Sequence, residues 1–196
     1  MSGLESLGHA LAFAVGAGIN LYATVLVLGL AARFDWVDVP GTLEPVGSAW
    51  VIGGAAVLYL LEFLADKIPW VDSLWDAIHT LVRPIGAAVI AVVALGPASP
   101  GMEVAAGLLG AAIGASTHAA KAGTRLAVNA SPEPASNIAV SLLEDGFVVG
   151  LVLLLLTHPL LGLALAVAAL VSVVVLLAVL FRLVTRRRRR RESTIR

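Results

Sequence analysis

Two long apolar segments of this chain are each interrupted by a short polar stretch, Gly18-Ile19-Asn20-Leu21-Tyr22-Ala23 and Gly114-Ala115-Ser116-Thr117-His118-Ala119. Polar groups left unpaired inside a hydrocarbon layer are costly, so such stretches need a reason to be there. Matched glycine-interrupted segments in the two halves of a membrane protein indicate the binding site of a transporter. The pair therefore predicts a polar site where the two segments meet.

The composition predicts an all-α integral membrane protein. Hydrophobic residues make up 59% of the 196-residue chain and charged residues 13%, and the mean hydropathy is +0.97. Soluble domains carry roughly 25% charged residues. The first apolar stretch is longer than the roughly 7–15-residue core of a signal peptide and lacks a basic lead-in, so we expect it to be retained. The absence of cysteine excludes disulfides, thiolate metal sites and a cysteine nucleophile.

Six segments reach or approach the roughly 20 apolar residues that a membrane-spanning helix needs. Glycine and proline mark the breaks between these segments, and a short interfacial helix is expected between the second and the third. The predicted spans are Leu4–Ala32, Ser48–Ala65, Ile78–Leu95, Met102–Val128, Ser136–Thr157 and Leu160–Val184.

Basic residues near the helix ends predict the orientation, because they favour the cytoplasm. The run Arg186–Arg191 places the C-terminal end inside, where it would bind anionic lipid headgroups. Six spans then predict that both termini are cytoplasmic in a multi-pass protein. The basic residues on the cytoplasmic side would then include Lys67, Arg83, Lys121 and Arg125.

The order of features suggests an internal repeat. Gly18 to Ala23 matches Gly114 to Ala119, and Arg83 to Leu95 resembles His158 to Leu170. Three spans per unit is an odd number, so the second unit would cross the membrane in the opposite direction. The predicted division is residues 1–98 and 99–184 as inverted three-helix repeats, followed by a basic tail at 185–196.

The two interruptions supply the predicted substrate site. Pseudo-symmetry would bring both to the middle of the membrane, with backbone groups freed at the glycines. The alternative is tight helix packing, in which glycines such as those of Gly110-x-x-x-Gly114 let backbones approach and polar side chains bond across the interface. The predicted substrate-binding residues are Asn20, Tyr22, Ser116, His118, Gly18 and Gly114.

Ion coupling is predicted for the adjacent acids Glu144 and Asp145. At 1.5 Å per residue, Lys121 and Glu144 lie at similar depth in neighbouring helices and are expected to pair. Asp145 would lack a basic partner unless Arg125 serves, which makes it the candidate carrier of a proton or cation. A purely structural salt bridge is the alternative.

A third polar cluster, Asp72, Asp76 and His79, falls on one face of a helix whose other face is apolar. The favoured interpretation is an interfacial helix with a solvated acidic face and tryptophans at headgroup depth. The alternative is a divalent-metal or phosphate site, because these side chains would present three oxygen or nitrogen ligands on one side.

The same region carries a resemblance. The string Glu62-Phe63-x-x-Asp66-Lys67-Ile68-Pro69-x-x-Asp72-x-x-Trp75-Asp76-x-x-His79-Thr80, preceded by Gly18-x-Asn20-x-Tyr22-Ala23-Thr24, resembles a bacterial inner-membrane family catalogued as domain of unknown function 4126. The likeness extends to about Thr157. It implies a small stand-alone protein of the bacterial inner membrane, and no catalytic residues come with it.

Three functions follow. The leading one is a small secondary transporter or channel for a polar or ionic solute, coupled to a proton or cation, with its site between broken helices 1 and 4. The second is a membrane-embedded, metal-dependent enzyme on lipid headgroups using Asp72, Asp76, His79 and Glu62, although no catalytic motif supports it. The third is a scaffold. No cofactor beyond a divalent cation and no nucleic-acid partner is expected, and the glycine-lined faces would allow a homodimer.

Overall fold

The computed structural model describes residues 3–36, 41–129, 134–172 and 175, and these residues contain no β-strand. The predicted arginine tail and the end of the predicted sixth span lie outside the described residues. Helices are numbered here in chain order. The structure has α1 Gly3–Ile19, α2 Leu21–Arg33, a 3-10 segment Gly41–Gly47, α3 Ala49–Ala65, α4 Pro69–Leu95, α5 Pro100–Asn129, α6 Pro134–Thr157 and α7 Pro159–Ser172.

The first apolar segment is broken at Asn20, as its polar stretch suggested. Asn20 has an extended backbone (φ −147°, ψ 102°), and its side-chain oxygen accepts a hydrogen bond from the Ala23 N–H at 2.9 Å. An asparagine in this conformation is a favoured helix N-cap, so α2 starts as a new helix. Gly16 packs directly against Thr24, which shows that the chain reverses at the break.

Helices α1 and α2 therefore form a re-entrant hairpin with Asn20 at its tip. His9 contacts the carbonyl of Leu156 at the C-terminal end of α6, whereas Asn20 contacts Asp145 near the middle of α6. On the way back, Gly29 packs against Val46 of the 3-10 segment. Both outer ends of the hairpin thus lie at the same end of the bundle.

The two ends of the bundle are named by their turns. The Gly96 end carries the turn after α4 together with the 3-10 segment, and the Lys67 end carries the turn between α3 and α4. Helix α7 packs on α1 and α6 through Gly162 and runs towards the Lys67 end. Gly3 and Ser172 therefore lie towards opposite ends. The prediction that both termini share one side concerns the tail beyond residue 175, which lies outside the described part of the chain, and it stays a prediction.

The second predicted interruption does not occur. Helix α5 is continuous through Gly114 to Ala119, with no break in its 30 residues. The expectation of a matched pair of broken helices 1 and 4 is wrong because a helix tolerates one glycine when neighbouring helices pack against it. Since α1 and α2 reverse direction while α5 runs through, the inverted three-helix repeat loses the feature on which it was based.

The predicted interfacial helix is part of a longer element. Helix α4 comprises 27 residues from Pro69 to Leu95. Pro69 lies in its first turn, and the helix continues through Pro84. Its faces are the reverse of those expected. Asp72 is 0% exposed and points into the protein, whereas Leu74 is 58% exposed on the outer face. The solvated acidic face predicted for this stretch is therefore a buried acidic face.

Helix α1 is the central element, and every residue from Gly8 to Gly18 is buried. It packs on α4, α5 and α6, and a helix surrounded on all sides needs no polar face. Its small side chains let the surrounding helices approach.

Helices α4 and α5 pack most extensively, through the Gly110-x-x-x-Gly114 motif. A Cβ atom added at Gly114 would lie 2.5 Å from the Cβ of Ala87, and one added at Gly110 would lie 2.6 Å from that of Ala91. The glycines thus let the two backbones approach, as the packing interpretation expected.

Two helices are long and apolar enough to cross a membrane by length and composition, Trp70–Leu95 and Ile138–Thr157. The shorter apolar helices α1, α2, α3 and α7 have 10–17 residues.

Gly114→Ala is expected to destabilise the fold. The added methyl group overpacks the α4–α5 contact, a change that typically costs about 1–3 kcal/mol. The matched control is Gly123→Ala on the same helix, where a Cβ meets nothing within 4 Å. It should be neutral or stabilising by up to about 1 kcal/mol through helix propensity. Thermal unfolding in detergent, followed by circular dichroism, measures both; equal midpoints would contradict the packing described above.

Candidate functional site

The polar clusters that the sequence presents separately form one buried network at the Lys67 end. Residues from α3, α4, α5 and α6 meet there, and the hairpin tip touches its edge. Buried charges must be paired to be tolerated, so these contacts hold the helices together. The ion-paired members are Glu62, Asp66, Asp72, Asp76, Arg83, Lys121, Arg125 and Glu144.

Arg83 is the best-buried cation of the network, with 0% exposure. Its Nη2 lies 2.8 Å from Glu62 Oε1 and its Nη1 lies 3.3 Å from Asp76 Oδ1. The same Nη1 donates to Nδ1 of His118 at 2.7 Å. One guanidinium group therefore joins α3, α4 and α5.

Helix α5 supplies the other two cations. Lys121 Nζ lies 3.2 Å from Glu62 Oε1 and also 3.2 Å from Asp66 Oδ2. Arg125 lies 3.1 Å from Asp66 and 3.3 Å from Glu144. The predicted Lys121–Glu144 ion pair is thus wrong: Arg125, one turn further along α5, takes Glu144, because the acids at the end of α3 occupy Lys121.

The two histidines of the network, His79 and His118, each use both ring nitrogens. A guanidinium only donates, so Nδ1 of His118 accepts, and Nε2 carries the proton towards Thr80 Oγ1 at 3.3 Å. A carbonyl only accepts, so Nδ1–H of His79 donates to Trp75 O at 2.7 Å. Nε2 of His79 shares a hydrogen bond with the Tyr22 hydroxyl at 3.0 Å. Through His79, Tyr22 ties the hairpin to α4.

The hairpin tip meets a carboxylate that has no ion pair. Asn20 Nδ2 donates to Asp145 Oδ1 at 3.3 Å, and Asp145 is 6% exposed. Among the described residues no Lys, Arg or His nitrogen lies within 4.0 Å of this carboxylate, and its buried Oδ2 has no hydrogen-bond partner. The expectation that Asp145 lacks a basic partner agrees with this geometry, since Arg125 pairs with Glu144 instead.

Lys67 is the nearest additional cation to this end of α6. Its Nζ donates to Phe63 O at 2.8 Å and to Ser141 Oγ at 3.4 Å, and lies over the Phe63 ring. Burial lowers the pKa of Lys67, and the nearby Asp145 and Asp66 carboxylates oppose this change.

Three residues predicted to bind substrate serve helix packing or local bonding instead. A Cβ at Gly18 would lie 2.5 Å from the Gly114 carbonyl oxygen, so the two glycines fill the α1–α5 contact. Ser116 is half-buried and donates to Ala112 O of its own helix. Of the predicted set, Asn20, Tyr22 and His118 reach the buried network.

The three predicted metal ligands do not converge on one point. Asp76 pairs with Arg83, Asp72 pairs with Arg125, and both nitrogens of His79 are engaged. Within the described parts of the chain, no group of three or more histidine or acidic side chains could hold a metal ion.

Two cavities of about 220 Å³ each flank α5 beside the network. The α4–α5 cavity is lined by Asp72, Ser73, Asp76, Ala77, Thr80, Ala122, Arg125 and Leu126. The second lies next to the hairpin tip and is lined by Ile19, Thr117, Ala120, Lys121, Thr124 and Glu144. Polar groups of the network thus reach accessible space on both sides of α5.

Sequence reasoning missed the central role of two residues. The sequence patterns place Arg83 among the basic residues on the cytoplasmic side and Glu62 at the alternative enzyme site, and neither is predicted to pair with the other. The available signal was their position: each charge lies within a predicted span, where an unpaired charge is too costly to keep. A basic and an acidic residue in adjacent predicted spans are natural partners.

The fold and the network define a class: an all-helical bundle built around a re-entrant hairpin and a buried ion network. A family model described as "Domain of unknown function (DUF4126)" matches residues 7–179. The chain belongs to this family, which confirms the resemblance noted in the sequence. No curated protein and no solved structure matches the chain.

Removing one side of the central ion pair should be strongly destabilising. We expect Glu62→Gln and Arg83→Met each to cost about 3–5 kcal/mol, because each leaves a buried charge without its partner. The double variant should lose less than the sum of the two. The control is Glu103→Gln on α5, since Glu103 is half-buried and forms no ion pair among the described residues. Urea unfolding in detergent measures all four, and simple additivity of the two losses would refute the coupling.

Proposed function

We propose that this protein is a multi-pass membrane protein that moves a small polar or ionic solute, as a secondary transporter or channel coupled to a proton or cation. The distribution of side chains supports the membrane part of this proposal. On α4, Arg83 and His79 are buried, whereas Leu81 is 72% exposed and Ile85 is 63% exposed. A charged interior with an apolar exterior suits lipid as the surrounding solvent.

The helix lengths fit a bilayer. Helix α3 has 17 residues and so spans about 25 Å, close to the roughly 30 Å hydrocarbon core. Trp50 and Trp70 lie near opposite ends of the bundle and are 91% and 73% exposed. Tryptophan is enriched at both membrane interfaces, so this placement agrees with helices that cross.

The orientation follows from the basic residues. The Lys67 end carries Lys67, Lys121 and Arg125, whereas the Gly96 end carries Arg33 with the exposed acid Glu44. The positive-inside rule places the Lys67 end in the cytoplasm. Because both outer ends of the hairpin lie at the Gly96 end, the N-terminal end of α1 faces the non-cytoplasmic side of the membrane.

Single cysteines in this cysteine-free chain test the orientation. Gly3→Cys and Gly101→Cys lie at the Gly96 end, and a side chain at either position meets nothing within 4 Å. Ala135→Cys is exposed at the Lys67 end. We expect a membrane-impermeant maleimide to label the first two in intact cells and the third only after permeabilisation. Protection of Gly3→Cys in intact cells would contradict the re-entrant arrangement.

The observation that carries the transport proposal is the hairpin tip against Asp145. Non-helical backbone at membrane depth is tolerated where it is buried in protein or lines a cavity. Transporters use such broken helices to place backbone and side-chain groups beside the solute and the coupling ion. Here the break presents Asn20 to a buried carboxylate, and a cavity opens beside Ile19 at the end of α1.

Asp145 is the proposed coupling residue. Intramembrane acids in pumps and transporters commonly carry protons or bind cations. Asp145 has a free oxygen and touches the tip of the interrupted α1–α2 hairpin, so a change in its charge acts directly on the hairpin. Glu144, its neighbour in sequence, is held by Arg125 and shapes the second cavity.

Flux in proteoliposomes tests these roles. With an imposed membrane potential, proton entry is followed by an entrapped pH-sensitive dye and cation entry by radioactive rubidium. Asn20→Ala, His118→Ala and Asp145→Asn are each expected to reduce the flux by about tenfold or more, equivalent to the loss of one interaction of about 1.4 kcal/mol. The control is Glu44→Gln, which changes an exposed acid remote from the network.

Two outcomes of the flux measurement would contradict the proposal. If all three variants remain folded and conduct as well as the wild type, the assigned site is wrong. If the folded wild type carries neither ion, coupling to these ions is refuted and the scaffold interpretation gains, because the tight Gly18–Gly114 contact already fits helix packing.

A further inference from the structure

The α4–α5 cavity near the Lys67 end has an acidic wall. Asp72, Asp76 and Thr80 line it on the α4 side, and exposed Ala77 forms part of its rim. Arg125 lines it on the α5 side and is paired with Asp72, so Asp76 is the acid that faces the cavity without Arg125 as its partner. Its volume of about 220 Å³ corresponds to several water-sized positions at roughly 30 Å³ each. A small ion with part of its hydration shell fits there.

One carboxylate oxygen in this wall is free. Asp76 is only 6% exposed, and Arg83 lies 3.3 Å from its Oδ1. Its Oδ2 forms no hydrogen bond with the described residues. Unlike the fully enclosed polar atoms that lack a partner, it keeps some accessible surface. This oxygen therefore reaches the cavity, and a buried carboxylate oxygen with no donor is costly unless something supplies one.

The net charge of the network indicates the charge of a ligand that would bind to the free Asp76 oxygen. Carboxylates outnumber basic side chains in and around it, and Lys67 does not redress the difference. An uncompensated buried carboxylate is costly, and it is neutralised by a proton or by a bound cation. Of these two, only a cation also uses the space of the cavity. The acids are Glu62, Asp66, Asp72, Asp76, Glu144 and Asp145, and the bases are Lys67, Arg83, Lys121 and Arg125.

The ligand chemistry follows from the donor set. Divalent metals require several converging oxygen or nitrogen ligands, and the described residues offer no such group. A monovalent ion of ammonium type needs only hydrogen-bond acceptors. Asp76 Oδ2 is one on this wall, and the lone pair of Thr80 Oγ1 that His118 does not use is a second.

We infer that the α4–α5 cavity binds a small monovalent cation, with an ammonium or primary amine group as the best fit, held by Asp76. Its place near the Lys67 end makes it a solute site on the side of the membrane that this end faces. Only that assignment as solute rests on the proposed function; the binding itself does not.

Binding is measured without transport, so the two proposals fail separately. Purified protein in detergent is titrated with ammonium, methylammonium or potassium chloride, and with the chloride of tetramethylammonium, which has no N–H donor, as the ionic-strength control. We expect ammonium and methylammonium to raise the unfolding midpoint by at least about 2 °C over that control. Equal stabilisation by potassium would support a monovalent-cation site without a preference for ammonium. No shift beyond the control would overturn the inference.

Two variants locate the site. Asp76→Asn should abolish the shift, but it also removes a partner of Arg83 and could unfold the protein. Ala77→Leu, which fills the cavity from its rim and forms no network contact, should abolish the shift while preserving the ion-free midpoint. Glu103→Gln should retain the full shift. A wild-type shift that survives in Ala77→Leu would place the cation elsewhere and refute the assignment.

Discussion

The shared carboxylate of Glu62 is the contact on which the rest of the structure depends. One oxygen of this fully buried side chain meets both Arg83 and Lys121, at 2.8 and 3.2 Å, and so joins α3 to α4 and α5. A charge without a partner in this position would be too costly to keep, whereas a paired network holds the helices in one register. The remaining acids and the two histidines are arranged around this junction, and the cavities open at its edges.

The re-entrant hairpin depends on the same network. A chain that reverses within a bundle leaves backbone groups that need partners, and Asn20 satisfies one of them by capping α2. Gly16 lets Thr24 approach at the turn, and Gly18 lets α5 approach from the other side. The contacts of Asn20 with Asp145 and of Tyr22 with His79 then fix the tip, so the interrupted helix is linked directly to the charged interior.

Helix α4 shows how the solvent decides the meaning of an amphipathic pattern. Its acidic face suggests contact with water, and its apolar face suggests contact with a membrane surface or a core. In the structure the acids face Arg83 and Arg125, and Leu74 and Leu81 face outward. The period of the pattern was predictable from sequence, but the direction was not, because it depends on whether other helices supply matching cations.

The sequence by itself determined the helical class, the family, most helix boundaries to within a few residues and the break at Asn20. These follow from local composition, capping and turn residues. Only the tertiary structure decided that the chain reverses at Asn20, that α5 runs through Gly114, and that Arg125 rather than Lys121 takes Glu144. The reason is physical: a glycine permits either a break or a close helix contact, and a buried charge accepts any partner of opposite sign within reach. Which outcome occurs is set by neighbouring helices that lie far away in sequence.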